Sequence, residues 1–403
     1  MAKKELDKSV KRGLTLLKMG WFCHNFMLIV PVIVLVYTSK GITVGDFFLI
    51  QGIFRLAAFL FEIPSGYMSD CLSRRRVMIA GGVSTIAGYV SIALASGFWT
   101  LIMGEALLGI ASALFSGTLE AYTYDLLKRN KTQKQFLKEF GNITTWAGVA
   151  EFVAMIIGGI LYGYIGANIL WIETVIMLFG TVAFLFLPEL LEVKRVVKHK
   201  DAITDAVSIT ANTLKNPRLR NLILFPSLYG AFTIIMFWIL QPIMDTVKIP
   251  VGLFGVYAGA SQLFRIILSK YAYKICEKLG EIRTSMITIG AVVIGITMGL
   301  IATHINNMPL IYIACMILAI SPSFRILNNL QYNTLIHHSI KSNERGTVLS
   351  TRAMVATIVG AIGLIMAKFL LDGFGITTTL VFVLGMSGLL VWSLKRVMKY
   401  IKN

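Results

Sequence analysis

Residues 61–82 read FEIPSGYMSDCLSRRRVMIAGG, with an aspartate and three consecutive arginines set between two long apolar stretches. Working outward, Leu14–Tyr37 and Val77–Ala95 approach or exceed the roughly 18 to 20 apolar residues that cross about 30 Å of hydrocarbon. The whole chain shares this character: of its 403 residues 56% are hydrophobic and only 14% charged. Soluble domains carry about 25% charged residues. The stretch is therefore a polar connector between two membrane spans, and the chain is a polytopic membrane protein.

Hydropathy predicts twelve spans, at roughly 14–38, 44–69, 77–96, 98–127, 138–163, 167–187, 218–246, 250–276, 284–304, 309–336, 346–371 and 375–396. Leu14–Tyr37 is too long for a signal-peptide core and lacks a small-x-small cleavage site, so it is expected to persist as the first span. The longest connector, 188–217, is charged and partly amphipathic. It divides the chain into a six-span unit at 1–187, a linker, and a second six-span unit at 218–403.

The connectors on one face, with both termini, hold 30 Lys and Arg residues, whereas the other face holds Lys40 and Lys248. Basic connectors stay cytoplasmic. Both termini and the linker are thus expected in the cytoplasm, in a plasma (inner) membrane. The same bias explains the net charge of +18, which needs no nucleic-acid partner. The halves also echo each other. Asp70-Cys71-Leu72-Ser73 and Glu277-Lys278-Leu279-Gly280 are offset by 207, and Tyr124-Asp125 and Tyr332-Asn333 by 208. A common offset with equal span counts points to a duplicated unit, of the kind transporters build around a midplane site.

GYMSDCLSRRRVM (66–78) resembles the signature loop of the major facilitator superfamily, Gly-x-x-x-Asp-Arg-x-Gly-Arg-Lys/Arg. Gly66, Asp70, Arg74 and Arg75 match, and Cys71 and Ser73 stand where the loop has arginine and glycine. Glu62-Ile63-Pro64-Ser65 and SGTLEAYTYDLL (116–127) are also similar to that superfamily, in particular to its bacterial drug-efflux-like branches. The resemblance implies an all-α fold of twelve transmembrane helices in two pseudo-symmetric six-helix bundles, working as a monomer by rocker-switch alternating access. It further implies a conformational latch in which the arginine at Arg74 pairs with a fourth-span acid, here Asp125, and Asp70 contacts the start of the eleventh span. The plain alternative is that the arginines only anchor the connector.

Ionisable groups inside hydrocarbon are costly, so they face a cavity or a partner. Eight are read as intramembrane charges: Arg55, Glu62, Glu105, Glu120, Glu151, Glu173, Arg265 and Arg325. The superfamily scheme puts spans 1, 4, 7 and 10 on the cavity, with 2, 5, 8 and 11 flanking it. Only Glu173, in the sixth span, then has no cavity role. Arg55, Arg265 and Arg325 are candidates to hold an anionic or polar substrate group. Glu120 and Glu151, with Glu105 where many members carry an arginine, are candidates for proton coupling, because a buried carboxyl can load and release a proton. Trp146, Trp238, Gln241, Asn328, Asn329 and Tyr332 are softer candidates for lining the substrate site, although aromatics at helical spacing also serve packing. Gly158 and Gly159 keep only the second half of the Gly-Pro-x-x-Gly-Gly pattern of drug/proton antiporters, and permit close helix packing.

The chain has no nucleophile elbow, phosphate-binding glycine loop or metal-ligand spacing, and its four cysteines are scattered. No enzyme activity, cofactor, metal or disulfide is expected. A small-molecule substrate, a coupling ion and the bilayer are the expected partners. Two functions fit: proton-coupled efflux of a small amphipathic molecule or drug, and proton-coupled uptake of an organic anion or nutrient. The efflux-like motifs favour the first; the intramembrane arginines and the missing Gly-Pro favour the second.

Overall fold

In a computed structural model, residues 6–190, 210–340 and 345–401 are described, except for the side chains at 63, 67, 70, 71, 345–347 and 401. Most of the basic linker lies outside that set. All regular structure among the described residues is helical. Lipid offers the backbone no hydrogen bonds, so an apolar span must satisfy its own. Among the described residues, nine helices are long and apolar enough to cross a membrane. Three of these, Gln133–Leu185, Val251–His304 and Val348–Tyr400, run 53 or 54 residues. At about 1.5 Å per residue that is far longer than the hydrocarbon core. Each is interrupted by one glycine in the left-handed region: Gly166 (φ 55°), Gly280 (φ 72°) and Gly375 (φ 76°). Residues with a Cβ disfavour that conformation.

The chain forms two compact units, residues 1–42 with 53–196, and residues 43–52 with 197–403. The first contains α1 (Lys8–Asn25), α2 (Ile33–Thr38), most of α3 (Val44–Cys71), α4 (Arg74–Ala93), α5 (Phe98–Phe115), α6 (Thr118–Arg129), α7 (Phe136–Ile165) and α8 (Ile169–Leu185). Leu14, Leu17, Met78, Tyr122, Leu126, Ile143 and Phe184 interlock α1, α4, α6, α7 and α8 at one end of this unit.

The second unit contains α9 (Pro217–Thr246), α10 (Phe254–His304), α11 (Met308–Ile320), α12 (Arg325–Ser339), α13 (Arg345–Met386) and α14 (Gly388–Ile401). Helix α9 is its central rod: 72% of its most apolar window is buried, against 28–50% in the other crossings. Asn216 caps α9, its side chain accepting from the amides of Arg218 and Leu219, with Pro217 in the first turn.

Three spans that hydropathy draws as continuous are broken. The first opens at residues 26–29, between α1 and a 3-10 turn at Val30–Val32. Pro31 explains it, since proline has no N–H and its ring strikes the carbonyl four residues back. The tenth span changes from α-helix to a tighter 3-10 turn at Ser321–Phe324, around Pro322. The fourth opens between α5 and α6, where Gly117 takes φ 69°. The offset of 207 to 208 carries Gly117 onto Phe324 and Arg325, so the fourth and tenth spans break at corresponding positions.

Candidate functional site

The connector that opened the sequence is a clamp within the first unit. Arg74 forms an ion pair with Asp125 and donates to the Ala121 carbonyl at 3.4 Å, both on α6. Arg75 donates to the carbonyl of Leu185 at the end of α8, and Arg76 lies 3.5 Å from Glu189. The start of α4 is thereby tied to α6 and α8. The side chains of Asp70 and Cys71 lie outside the described residues. A Cβ added at Gly66 would meet nothing within 4 Å, so no steric demand for glycine exists there in this conformation. Glu62 accepts from the Ser116 hydroxyl at 3.1 Å, which ties the second span to the break in the fourth.

Deeper in this unit the carboxylates have distinct settings. Glu105 is buried and accepts from the Tyr37 hydroxyl at 2.6 Å. Glu120 is exposed, while Glu151 and Arg55 are half-buried. Trp146 is 46% exposed, with the Lys18 ammonium 5.6 Å over its ring and Phe22 beside it. Glu173, which the scheme leaves without a cavity role, is 0% exposed, inside the bundle. Its Oε2 accepts from the Ile29 amide at 2.8 Å, and its carboxyl also takes the Leu28 amide and the Tyr89 hydroxyl. Those two amides lie in the broken segment of the first span. Opposite them is Gly158, where an added Cβ would run into the Leu28 carbonyl.

In the second unit, α12 starts with Arg325 directly after the 3-10 turn. Its guanidinium lies against Gly230 of α9, 3.5 Å from where a side chain would begin. Arg265 and Arg352 are both near enough to act on it electrostatically, as is Tyr229. No carboxylate of the described residues pairs with Arg325. Arg325 Nε, Tyr229 Oη and both amide atoms of Asn328 are buried without a hydrogen-bond partner. Buried polar atoms are almost always bonded in finished interiors. The unbonded Arg325 Nε, with the unbonded Tyr229 hydroxyl near it, therefore offers donors suited to a polar, negatively charged guest.

Other candidates have structural duties. Asn329 accepts from Arg352 Nη2 at 2.9 Å, and Asn333 accepts from its Nη1. Gln331 donates to the Glu281 carbonyl at 2.7 Å, and the Tyr332 hydroxyl lies 3.2 Å from Ser285. Trp238 and Gln241 are buried, with Trp238 stacked edgewise on Phe47 and Phe237. Hydropathy passed over Arg352 because it stands seven residues into a long apolar run, although the rule that singled out Arg325 applies to it equally. It also passed over Lys368, which bonds Asp46 at 2.8 Å and Asp372 at 2.7 Å. Among the described residues no group of three or more His, Cys, Asp and Glu is arranged to hold a metal.

A family model for the Major Facilitator Superfamily matches residues 19–364. The inner membrane transport protein YajR of Escherichia coli (strain K12) is 30% identical over 120 residues, which are 30% of this chain and 25% of that protein. The chain thus spans about a quarter of the length of this curated relative. Among solved structures, the nucleoside transporter NupG superposes with a TM-score of 0.80 at 14% identity, covering 98% of this chain and 100% of that one. A POT family transporter in complex with a thioalcohol conjugated peptide gives 0.71 at 13% identity, over 97% of this chain and 96% of that one. With helices throughout its described residues, membrane-length spans and a family match over residues 19–364, this chain is a multi-pass membrane protein of the Major Facilitator Superfamily.

Proposed function

We propose that the protein is a proton-coupled secondary transporter that takes up a small organic molecule bearing an anionic group. The supporting observation is Arg325: a guanidinium held against Gly230, with no carboxylate partner among the described residues, near Tyr229, Arg265 and Arg352. Taking each of the three 53- or 54-residue helices as two crossings joined at its left-handed glycine turns nine into twelve. Alternating access, which the resemblance implies, is then the proposed mode of transport. The basic connectors support cytoplasmic termini, a cell-membrane location and, with the family, a monomer. Moving an anion inward against a negative-inside potential costs about 2.3 kcal/mol per charge per 100 mV, which co-transported protons offset.

Uptake into proteoliposomes of a panel of carboxylate- and phosphate-bearing solutes tests this, with the outside acidic relative to the lumen. Accumulation is expected for at least one anion. Arg325→Ala should reduce it roughly tenfold to a hundredfold, since hydrogen bonds to a charged group contribute about 1.5–3 kcal/mol. The efflux reading rests on the half-exposed Trp146 and the connector motif. It predicts substrate movement opposite to the proton flow, with Arg325→Ala nearly silent.

A further inference from the structure

The break in the first span leaves backbone amides that the bilayer cannot satisfy, and each unsatisfied group there costs several kcal/mol. One side chain supplies the missing acceptor. Glu173 of α8 takes the Ile29 amide at 2.8 Å and the Leu28 amide, with the Tyr89 hydroxyl on the same carboxyl. The segment is fixed from the other side by Gly158, whose missing side chain leaves room for the Leu28 carbonyl. Glu173 is wholly buried, yet its Oε1 has no hydrogen-bond partner, and no Lys, Arg or His of the described residues pairs with it. An unpaired carboxylate in that setting has a vacant proton acceptor and no counter-charge.

We infer that Glu173 is a proton-binding site that controls the broken segment of the first span. A proton arriving on Oε1 converts the carboxylate to a neutral acid, and the bonds from Leu28 and Ile29 change from charge-assisted to neutral. Charge-assisted bonds are about twice as strong. Protonation therefore loosens the first span at residues 26–29, and deprotonation clamps it. The surrounding titratable groups are Tyr89 from α4, Tyr37 from α2 and the buried acid Glu105 from α5, which accepts from Tyr37. From α1, His24 meets α8 farther along, at Thr181 and Phe184, and Cys23 meets Gly180. Helix α7 brings Gly158. Lys40 is bonded to the carbonyls of Ala93 and Ala95 at the end of α4. This inference deepens the proposed function, because it identifies the coupling ion and its seat.

Hydrogen exchange of the full-length protein in lipid nanodiscs tests it, read by mass spectrometry on peptides covering the break. After correction for the intrinsic pH dependence of exchange, wild-type protection at 26–32 should fall roughly fivefold or more as pH drops. Glu173→Gln should hold the low-protection state at every pH, while Glu120→Gln and Glu151→Gln should keep the step. A wild-type-like step in Glu173→Gln overturns the inference, as does a step lost instead in His24→Asn or Glu105→Gln. If Glu173→Gln does not fold, Glu173→Asp must move the midpoint of the step; an unmoved midpoint also overturns it. Exchange needs no substrate. A flat titration beside intact anion uptake defeats this inference alone, and an intact titration without any anion uptake defeats only the proposed function.

Discussion

Arg325 and Glu173 are opposite solutions to one problem. Each is an ionisable side chain in a region where charge is expensive, and each sits where a span restarts after a break. Arg325 faces other cations and unsatisfied polar atoms, which suits a guest from outside the chain. Glu173 faces backbone amides of its own unit, which makes it an internal switch. Around Glu173 the fit is tight enough for a single methyl group to matter. Gly158→Ala places its Cβ against backbone rather than a flexible side chain, so the neighbour cannot give way cheaply. Overpacking of this kind costs about 1–3 kcal/mol. A melting temperature several degrees below wild type in detergent is expected. Gly163→Ala, where an added Cβ meets nothing within 4 Å, should be nearly neutral.

Among the elements, the interruptions count for more than the helices. The fourth and tenth spans each stop and restart at positions related by the internal offset, and Glu120 and Arg325 lie just past those restarts. Gly117 holds the fourth-span break in the left-handed region, with open space around it. Gly117→Ala therefore has only the conformational cost, roughly 1–2 kcal/mol. The expected outcome is a modest drop in melting temperature without aggregation, read by thermal unfolding in detergent. Restoration by Gly117→Asn, a residue that tolerates left-handed backbone, would separate conformation from packing. Hydropathy alone draws both spans as unbroken because a window average cannot register one turn of altered φ. Pro31 and Pro322 were the legible clues, yet Pro64, Pro226 and Pro242 lie inside α3 and α9 without ending them. A proline permits a break; the packing around the freed amides decides whether one forms.

At the scale of the whole molecule, the connector charges predict a definite sidedness. Single cysteines replacing Lys40 or Lys248, in a background lacking native cysteines, should react with a membrane-impermeant maleimide applied to intact cells. Cysteines at Arg76 or Lys274 should react only after permeabilisation. Reaction of all four from the same side would end the topological reading. Composition and run length were enough for membrane insertion and all-helical structure, and the superfamily was legible only through the resemblance of residues 66–78 to its signature loop. The first two are properties that add up along the chain, because lipid responds to each span's hydrophobicity and each connector's charge almost independently. The Arg74–Asp125 pair was equally legible, since both residues sit at the ends of spans whose order the motif supplies.

What only the tertiary structure decided is which buried charges have partners. Glu173 and Arg325 look alike in sequence, as solitary ionisable residues in apolar runs, and span number gave a cavity role to Arg325 and none to Glu173. The fold brings Glu173 to the Ile29 amide, 144 residues away, and leaves Arg325 among cations. The electrostatic fate of a buried charge depends on neighbours within a few ångströms, and those neighbours come from other spans. No property that accumulates along a single span contains them.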